Sequence, residues 1–428
     1  MINLPETGQE RIVIVGGGFA GLKLARRLRN SGYQVILLDK NNFHQFQPLF
    51  YQVAMAGLEP SSIVFPFRKL FQGRKDVFFR IVEVQRVDQS KKQLHTNVGI
   101  VNYDHLVLAM GADTNFFGNE AIAEHAIPMK SVSEALFLRN RILADLELAL
   151  MERDAAERRN LMDIAIVGGG PTGVEVAGAL AEMRKYVLPK DYPELNAEEM
   201  DIFLLEGLDQ LLAGMSETSG EQAREYLEDL GVVVKLNTMV TGYDGKTVKT
   251  QSGEIFKAYK LIWAAGIRGN ALPGLPEEAL RRGNRLQVDR HFRLEGAESI
   301  YAIGDLAYME EPDYPDGHPQ VAQVALQHAD YLSRWFRKGE SKPFHYQDKG
   351  SMATIGRSKA VVDLPRLHFR GFFAWIVWLF VHLFQLIGAK NKVFVFINWV
   401  WNYLFYDQSL RLIIRAKEPK KKETKVPV

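Results

Sequence analysis

The stretch RIVIVGGGFAG, from Arg11 to Gly21, decides the fold, because it joins a buried-type apolar run to a glycine-rich loop and a helical segment. The same design returns in IAIVGGGPTG, from Ile164 to Gly173. In dinucleotide-binding βαβ units the first glycine permits a tight turn, the second lets the backbone approach a pyrophosphate, and the third lets the helix pack against the strand. Backbone N–H groups at the start of the helix then face the phosphate.

One glycine loop alone is a weak signal, since ordinary strand-to-helix turns also contain glycine. Two loops in the same strand-and-helix context predict that this chain binds two dinucleotides. The expected contacts are Gly16, Gly18, Phe19, Ala20 and Gly21 in the first loop, and Gly168, Gly170, Pro171, Thr172 and Gly173 in the second.

An acidic residue follows the second strand of each unit. Asp39 ends the run Val35–Leu38, and Glu206 ends the run Ile202–Leu205. A carboxylate in this position accepts hydrogen bonds from ribose hydroxyls and repels a 2′-phosphate. Gly207 stands where an arginine would favour NADPH, so the second unit is expected to prefer NADH. The alternative is a pair of solvated carboxylates at strand ends.

The composition excludes several kinds of chemistry. The 428 residues suffice for two or three domains, and the net charge of +2 argues against a nucleic-acid surface. No cysteine is present, which excludes disulfides, iron–sulfur clusters and thiolate catalysis. The ten histidines show no metal-ligand spacing, so no metal site is predicted. The residues before Arg11 resemble neither a signal nor a transit peptide, which predicts a cytoplasmic catalytic part.

Three further segments look like strands that end in a turn beside a nucleotide. They are Leu106–Ala112, Leu261–Gly266 and Ile300–Asp305. An aspartate at the end of the third strand could hold a ribityl hydroxyl of a flavin. The candidate contacts are Ala109, Gly111, Ala265, Gly266, Gly304 and Asp305.

The order of these motifs resembles the flavin-dependent pyridine-nucleotide disulfide reductase superfamily. Within it the chain is most similar to type II NADH dehydrogenases, the single-subunit NADH:quinone oxidoreductases. The segments that narrow the resemblance are Asp39–His44, Phe46–Ala54 and Ala322–Gln327. The similarity extends over essentially the whole chain.

The resemblance implies an α/β fold of two Rossmann-like domains, with the NADH domain inserted in the FAD domain and a C-terminal helical membrane module. The corresponding ranges are 1–118 and 271–340 for FAD, 119–270 for NADH and 341–428 for the membrane module. It also implies flavin contacts from Lys40, Gln47 and Ala322. Disulfide reductases of this superfamily carry a redox cysteine pair after the first helix, and the corresponding region here, Phe46–Ala54, holds no cysteine. Electrons must therefore leave the flavin directly for an external acceptor.

Four residues are candidates for the chemistry itself. The resemblance implies that Glu175, on the first turn of its helix, contacts NADH and delivers protons; the alternative is a carboxylate favoured by the helix dipole. Gln323 and Gln327 share one helix face, which lines a quinone tunnel in the family. The alternative is two glutamines satisfied by packing. Lys349 resembles a residue near the flavin, or is a surface lysine.

The tail contains two apolar blocks, Gly371–Ala389 and Val393–Tyr406, separated by the polar segment Lys390–Lys392. Core helices, a transmembrane hairpin and helices lying in the membrane interface are the three interpretations. The blocks are short for spans of about 20 residues. Interfacial helices are favoured, since the tryptophans suit the headgroup region and the basic residues suit anionic lipid. These are Trp375, Trp378, Trp399 and Trp401, with Arg411, Arg415, Lys417, Lys420, Lys421, Lys422 and Lys425.

The sequence therefore predicts a non-electrogenic FAD-dependent enzyme that oxidises NADH and reduces a membrane quinone. It is expected on the cytoplasmic face of the inner membrane, as a homodimer. Two alternatives stay open: a flavoprotein reductase of a soluble electron carrier, and a membrane-tethered NADH sensor.

Overall fold

The computed structural model describes residues 2–339, 342–405 and 410–414. The basic residues from Arg415 onward lie outside these ranges. Arg411, which was grouped with them, is engaged with Asp191.

The N-terminal part of the chain begins with the predicted βαβ unit. Its strands are β1 (Arg11–Val15), β2 (Gln34–Asp39), β3 (Phe43–Gln45), β4 (Val64–Pro66), β5 (Val77–Ile81), β6 (Val84–Asp88), β7 (Gln93–Thr96), β8 (Gly99–Asn102), β9 (His105–Leu108) and β10 (Ala112–Thr114). Its helices are α1 (Phe19–Arg27), α2 (Phe50–Ala54), α3 (Pro60–Ile63) and α4 (Phe67–Leu70).

The middle of the chain repeats the βαβ design. Its helices are α5 (Glu120–His125), α6 (Val132–Met151), α7 (Ala155–Met162), α8 (Pro171–Tyr186), α9 (Leu188–Asp191) and α10 (Glu217–Asp229). Its strands are β11 (Ile127–Pro128), β12 (Ile164–Val167), β13 (Ile202–Leu205), β14 (Val233–Lys235), β15 (Val240–Tyr243), β16 (Thr247–Thr250), β17 (Ile255–Lys257), β18 (Lys260–Trp263) and β19 (Ile267–Gly269).

The chain then returns to its first domain through β20 (Leu280–Arg281), β21 (Arg285–Gln287), β22 (Arg293–Leu294), β23 (Ala297–Ala302), β24 (Ala307–Tyr308) and helix α11 (Ala322–Lys338). The main sheet of this domain has the order β22-β23-β9-β1-β2-β5, so it combines strands from both ends of this region. The order of the second sheet, β11-β18-β12-β13-β14, uses only the intervening chain. The predicted architecture, one Rossmann-like domain inserted in another, is confirmed.

The central strands are apolar throughout because both of their faces are covered. All four core residues of β1 and all of β12 are buried, and the neighbouring strands β2 and β13 run parallel to them. Strands in a parallel sheet with helices on both faces are expected to read as continuous apolar runs. This burial makes the glycine loops at the carboxyl ends of β1 and β12 project from a rigid base.

The C-terminal part is a small antiparallel sheet followed by two helices. Its elements are β25 (Ser351–Thr354), β26 (Ala360–Leu364), β27 (Leu367–Arg370), α12 (Phe372–Gln385) and α13 (Ala389–Phe405). The predicted separation at Lys390–Lys392 is wrong, because these residues belong to α13 and the break falls at Leu386–Gly388. Gly388 has a positive φ of 90°, which permits this turn between the helices. Within the described ranges, no helix combines the length and the apolar character needed to cross a membrane.

Helix α12 has one inner and one outer face, and both are apolar. Ala374 and Trp378 are buried against the protein. On the outer side Phe373, Phe380 and Phe384 are 67%, 62% and 60% exposed. A core helix would bury such rings, so this surface fits the interfacial interpretation better than the core interpretation.

Candidate active site

The first glycine loop has the geometry that a pyrophosphate requires. Gly16 has a φ of +99°, and a side chain there would collide with the backbone of Ala109. A Cβ on Gly21 would overlap the carbonyl oxygen of Gly16, so this position holds the helix against the turn. A Cβ on Gly18 would meet nothing within 4 Å. The middle glycine therefore faces open space, where a phosphate can reach the backbone N–H groups at the start of α1.

The second loop repeats this geometry residue by residue. Gly168 has a φ of +109° and lies against the backbone of Ala264. A Cβ on Gly173 would overlap the carbonyl oxygen of Gly168, whereas one on Gly170 would meet nothing within 4 Å. Pro171 and Thr172 begin α8, where a proline is tolerated because its missing N–H would have no helical partner.

The two strand-end carboxylates each bind their own glycine loop. Asp39 accepts hydrogen bonds from the N–H of Gly17 at 2.6 Å and of Asn41 at 2.7 Å. Glu206 accepts from Gly169 and, at 2.8 Å, from Leu208. Burial raises the pKa of Asp39, and the two N–H groups offset part of this effect. Backbone N–H groups of the loops thus hold both carboxylates in place. The alternative of two solvated carboxylates at strand ends does not describe them.

Asp305 lies in the turn that follows β23, close to the first glycine loop. Among the described residues no hydrogen-bond donor reaches its carboxylate, although its backbone oxygen accepts from Gln320 at 2.9 Å. Burial raises the pKa of Asp305, and the charges of Lys130 and Arg285 oppose this shift. A half-buried carboxylate with free acceptor positions fits the polyhydroxyl chain of FAD.

The remaining predicted cofactor residues surround these loops. Ala20 of α1 and Ala109 after β9 are buried, and Ala322 is the first residue of α11. No side chain caps α11, so the N–H groups at its start are available to the electron-rich ring system of FAD. Turn glycines with positive φ are Gly111, Gly266 and Gly304, and Ala265 precedes the second of them. Lys40 and Gln47 are exposed.

Glu175 lies in the second turn of α8, so the prediction that placed it in the first turn is wrong. It is buried, and burial raises its pKa to about 8. The N–H of Thr354 and the indole of Trp378 partly oppose this shift. The Trp378 N–H itself has no partner at hydrogen-bond distance among the described residues. A pKa of about 8 favours the neutral, proton-carrying form of Glu175 at pH 7.

Tyr51 of α2 packs edge-on against the Trp378 ring, with ring centroids 6.2 Å apart. Burial raises the pKa of Tyr51 well above its usual value, and the charge of Glu175, when ionised, adds to this shift. The Tyr51 hydroxyl accepts a hydrogen bond from Gln52 at 2.8 Å. The Gln52 oxygen in turn accepts from the Trp399 indole at 2.7 Å. Helix α2 thus links the core around Trp378 and α8 to α13.

Gln323 and Gln327 form a second cluster with the segment before β25. The Gln323 oxygen accepts from the N–H of Lys349 at 3.0 Å, and its amide donates to Asp348 and to the carbonyl of Gly350. Gln327 exchanges hydrogen bonds of 2.8 and 3.1 Å with the backbone of Gln347. Both glutamines are partly exposed, and Lys349 joins the cluster through its backbone while its side chain is exposed.

The structure brings Gln323, Gln327 and Lys349 together but places Glu175 in a separate cluster. Strand β25 connects the two clusters, since Gly350 precedes it and Thr354 ends it. Four residues of extended chain span roughly 13 Å. The Glu175 cluster and the pair of amides thus lie at opposite ends of a single strand.

Sequence reasoning missed Tyr51, Thr354 and Trp378 around the acid and Lys130 beside Asp305. Tyr51 stood inside the Phe46–Ala54 segment, which the sequence analysis had singled out, so its aromatic hydroxyl was an available signal. Trp378 and Ala374, four residues apart, were a hint of an inner face on α12. Nothing in the local sequence indicated Lys130 or Thr354.

Two family models match the chain. One, described as pyridine nucleotide-disulphide oxidoreductase, matches residues 10–329, and the other, the NDH2 C-terminal domain, matches residues 348–406. A Mycobacterium tuberculosis type II NADH:quinone oxidoreductase, NdhA, is 35% identical over 414 residues, covering 92% of this chain and 87% of that protein. The structure of NDH2 from Plasmodium falciparum superposes with a TM-score of 0.86 at 22% identity, covering 95% of this chain and 100% of the other. A ferredoxin reductase from Rhodopseudomonas palustris shares the fold at a TM-score of 0.65 and 18% identity, covering 83% of each chain.

The two dinucleotide units and the cysteine-free second helix define a flavin-dependent pyridine-nucleotide oxidoreductase. Its cofactors are FAD and NADH. The chain belongs to the type II NADH dehydrogenase family, as the resemblance predicted. The reductase of a soluble carrier and the NADH sensor are not favoured by these findings.

Proposed function

We propose that this chain oxidises NADH and reduces a membrane quinone, with FAD on the loop after β1 and NADH on the loop after β12. The observation that carries the proposal is the pairing of two complete dinucleotide loops with the Gln323–Gln327 cluster on α11. Because the chain has no cysteine, no thiol can take electrons from the flavin. The curated relative in Mycobacterium tuberculosis is itself named an NADH:quinone oxidoreductase.

Bound FAD supplies the hydride-accepting and electron-donating chemistry, and the protein binds, orients and supplies protons. Asp39 and Glu206 hold the two ribose-binding turns, and Asp305 offers acceptors to the ribityl chain. Glu175 keeps a proton near neutral pH, so it can serve a reaction that consumes protons. Its burial behind Trp378 and Tyr51 separates that proton from bulk water.

The glutamine pair offers neutral donors and acceptors, which suit quinone carbonyls in an apolar setting. In the structure these amides bind the backbone of residues 347–350. Binding of a quinone at Gln323 then requires an exchange of the Lys349 or Gly350 contact, so the segment before β25 is expected to shift on binding. This makes Lys349 a mobile neighbour of the site rather than a fixed ligand.

The location and assembly also belong to this proposal. The outer faces of α12 and α13 lie in the headgroup region of the bilayer, on the cytoplasmic face of the inner membrane. The enzyme is peripheral and forms a homodimer. An open path from the lipid to the glutamine cluster would let the quinone reach the site without leaving the membrane.

The experiment separates the two half-reactions. The purified protein is reduced anaerobically with NADH in a stopped-flow instrument, and a quinone analogue is then added while flavin absorbance is followed. Gln323→Leu is expected to leave reduction unchanged and slow reoxidation about tenfold, the loss of one hydrogen bond to a buried ligand. Gln251→Leu, in an exposed turn, is the matched control. Equal slowing of both half-reactions would contradict the assignment of Gln323 to the quinone.

A further inference from the structure

A chain of buried polar side chains leads from the surface to the turn that carries Asp305. The N–H of Gly304 donates to Nδ1 of His328 at 3.1 Å, and Nε2 of His328 lies 3.3 Å from Nδ1 of His318. Nε2 of His318 lies 3.4 Å from Glu311, and His345 at the surface contacts the same carboxylate at 2.9 Å. His318 and His328, here named the histidine pair, are 1% and 0% exposed.

One backbone N–H determines where every proton in the pair resides. Because Gly304 donates to Nδ1 of His328, that nitrogen carries no proton, and the neutral ring holds its proton on Nε2. That proton points at Nδ1 of His318, so the proton of His318 resides on Nε2, which lies 3.4 Å from Glu311 without a hydrogen bond to it. Both rings must therefore be neutral for the Gly304 contact to exist.

Protonation of the pair would break this arrangement. A proton on Nδ1 of His318 would set two N–H groups against each other. The conflict ends only if His328 moves its proton from Nε2 to Nδ1, and Gly304 then loses its acceptor. A buried N–H without a partner destabilises the turn that holds it.

We propose that the neutral histidine pair positions the Gly304–Asp305 turn for FAD and that acid protonation of the pair releases the cofactor. The inference rests on the proposed binding of FAD at Asp305. His328 and His318 are positioning residues, since His328 contacts the turn through the backbone N–H of Gly304 and His318 contacts His328. The Gly304 N–H is the link between them and the cofactor.

The surroundings of the pair oppose its protonation. Charged and titratable groups that face it are Arg285, Arg290, Glu311, His345, Tyr314, Tyr346 and, through Arg285, Asp305. Phe292 and Phe344 pack on the His328 ring at centroid distances of 4.5 and 5.1 Å. Burial lowers the pKa of His318 to about 4, against the opposing charge of Glu311, and lowers that of His328 well below its usual value.

The sign of the pH effect follows from this difference. While the Gly304 N–H stays bonded to His328, the histidine pair stays neutral. When the Gly304–Asp305 turn opens and exposes the pair to water, each histidine regains an ordinary pKa of about 6.5. Opening therefore takes up protons as the pH falls below that value. The dissociation constant of FAD is expected to rise by up to about tenfold per pH unit for each histidine that becomes protonated.

The test measures FAD release from the full-length holoenzyme by the rise in flavin fluorescence, between about pH 5 and 8. His328→Gln keeps an acceptor for Gly304 and a donor for His318 but does not titrate, so it should retain FAD at pH 8 and lose about one proton from the pH slope. His328→Leu removes the acceptor and should weaken FAD binding roughly tenfold at every pH. His125→Gln, at an exposed position on α5, is the control, and far-UV circular dichroism at each pH identifies unfolding.

Two results would overturn the inference: a His328→Gln slope equal to that of the wild type, or wild-type FAD affinity in His328→Leu. Asp305→Ala separates a failure of the proposed flavin site from a failure of the role proposed for the histidine pair. If it binds FAD as tightly as the wild type, the proposed flavin site itself is wrong. If it loses FAD while both His328 variants behave as the wild type, only the role of the histidine pair is wrong.

Discussion

At the scale of single residues, Glu175 is the group whose properties depend most on burial. The neutral acid is favoured because a carboxylate in this position would lose water and gain only the Thr354 N–H and the nearby indole. The folded-state pKa of about 8 lies above the ordinary value for glutamate. Ionisation of Glu175 thus lowers the stability of the folded protein. The loss appears as the pH rises from the ordinary pKa of glutamate to the folded-state pKa of about 8.

Glu175→Gln replaces the acid by a neutral side chain of the same shape. The stability of the wild type relative to this variant is expected to fall from about pH 4.5, where the unfolded glutamate ionises, to pH 8, above which the difference is constant. Thermal midpoints of both proteins at several pH values measure this.

Reoxidation of the flavin by quinone should slow in the wild type above pH 8, and its rate should not vary with pH in the Glu175→Gln variant. Glu182→Gln, two turns further along α8, is a comparison. Parallel curves for wild type and Glu175→Gln would contradict the assignment.

At the scale of elements, the two βαβ units were predictable because all their requirements are local. A glycine that needs positive φ, a glycine that packs on a carbonyl and a carboxylate at the next strand end occur within one short stretch of chain. The partners of Glu175 were not predictable in the same way. Thr354 and Trp378 come from elements far along the chain, and one sequence contains no information on which distant elements meet.

The same limit explains the histidine pair. His318, His328 and Glu311 occur in a loop and a helix with no repeated spacing, and their contacts arise only when α11 packs beside β24. The tail shows the opposite error, since local polarity suggested a break at Lys390–Lys392. The helix continues there because the ammonium group of Lys392 donates to the carbonyl of Phe384 and lies beside the Phe384 ring. The charge of Lys392 therefore does not interrupt the helix.

The acidic end of β13 sets a prediction at this scale. Glu206 accepts a hydrogen bond from the N–H of Gly169. In the proposed NADH site its negative charge is expected to lie beside the adenosine ribose, where a 2′-phosphate would be repelled. Glu206→Gln is expected to raise the KM for NADH and to reduce the preference for NADH over NADPH by roughly tenfold, because the repulsion disappears while the turn keeps one acceptor. The ratio of kcat/KM for the two nucleotides is the measurement. Asp209→Gln, on the following turn, is the control, and an unchanged ratio would show that NADH is selected elsewhere.

At the scale of the whole molecule, helices α12 and α13 and the surroundings of Glu175 are one packed unit. Trp378 of α12 and Val395 of α13 belong to the same core cluster as Tyr51 and α8. Asn391 and Asn402 of α13 donate to the carbonyls of Val64 and Gly57. Truncation at Gly371 would therefore expose the surroundings of Glu175. Point substitutions on the outer face test membrane binding without this damage.

The outer face of α12 provides that test. Phe380 and Phe384 are in contact with each other, at a ring-centroid distance of 4.4 Å, and both are directed away from the protein. The double variant Phe380→Glu/Phe384→Glu should weaken binding to vesicles of mixed neutral and anionic lipid roughly a hundredfold, because two apolar side chains leave the bilayer and two charges would have to enter it. Vesicle sedimentation measures this, with flavin absorbance of the soluble fraction as the check on folding. Met239→Glu/Ile255→Glu, at sites 53% and 59% exposed in the NADH domain, makes the same charge change on another surface. If both double variants stay on the vesicles like the wild type, α12 does not hold the enzyme to the membrane; if the Phe380/Phe384 variant loses its flavin, the outer face is protein core instead.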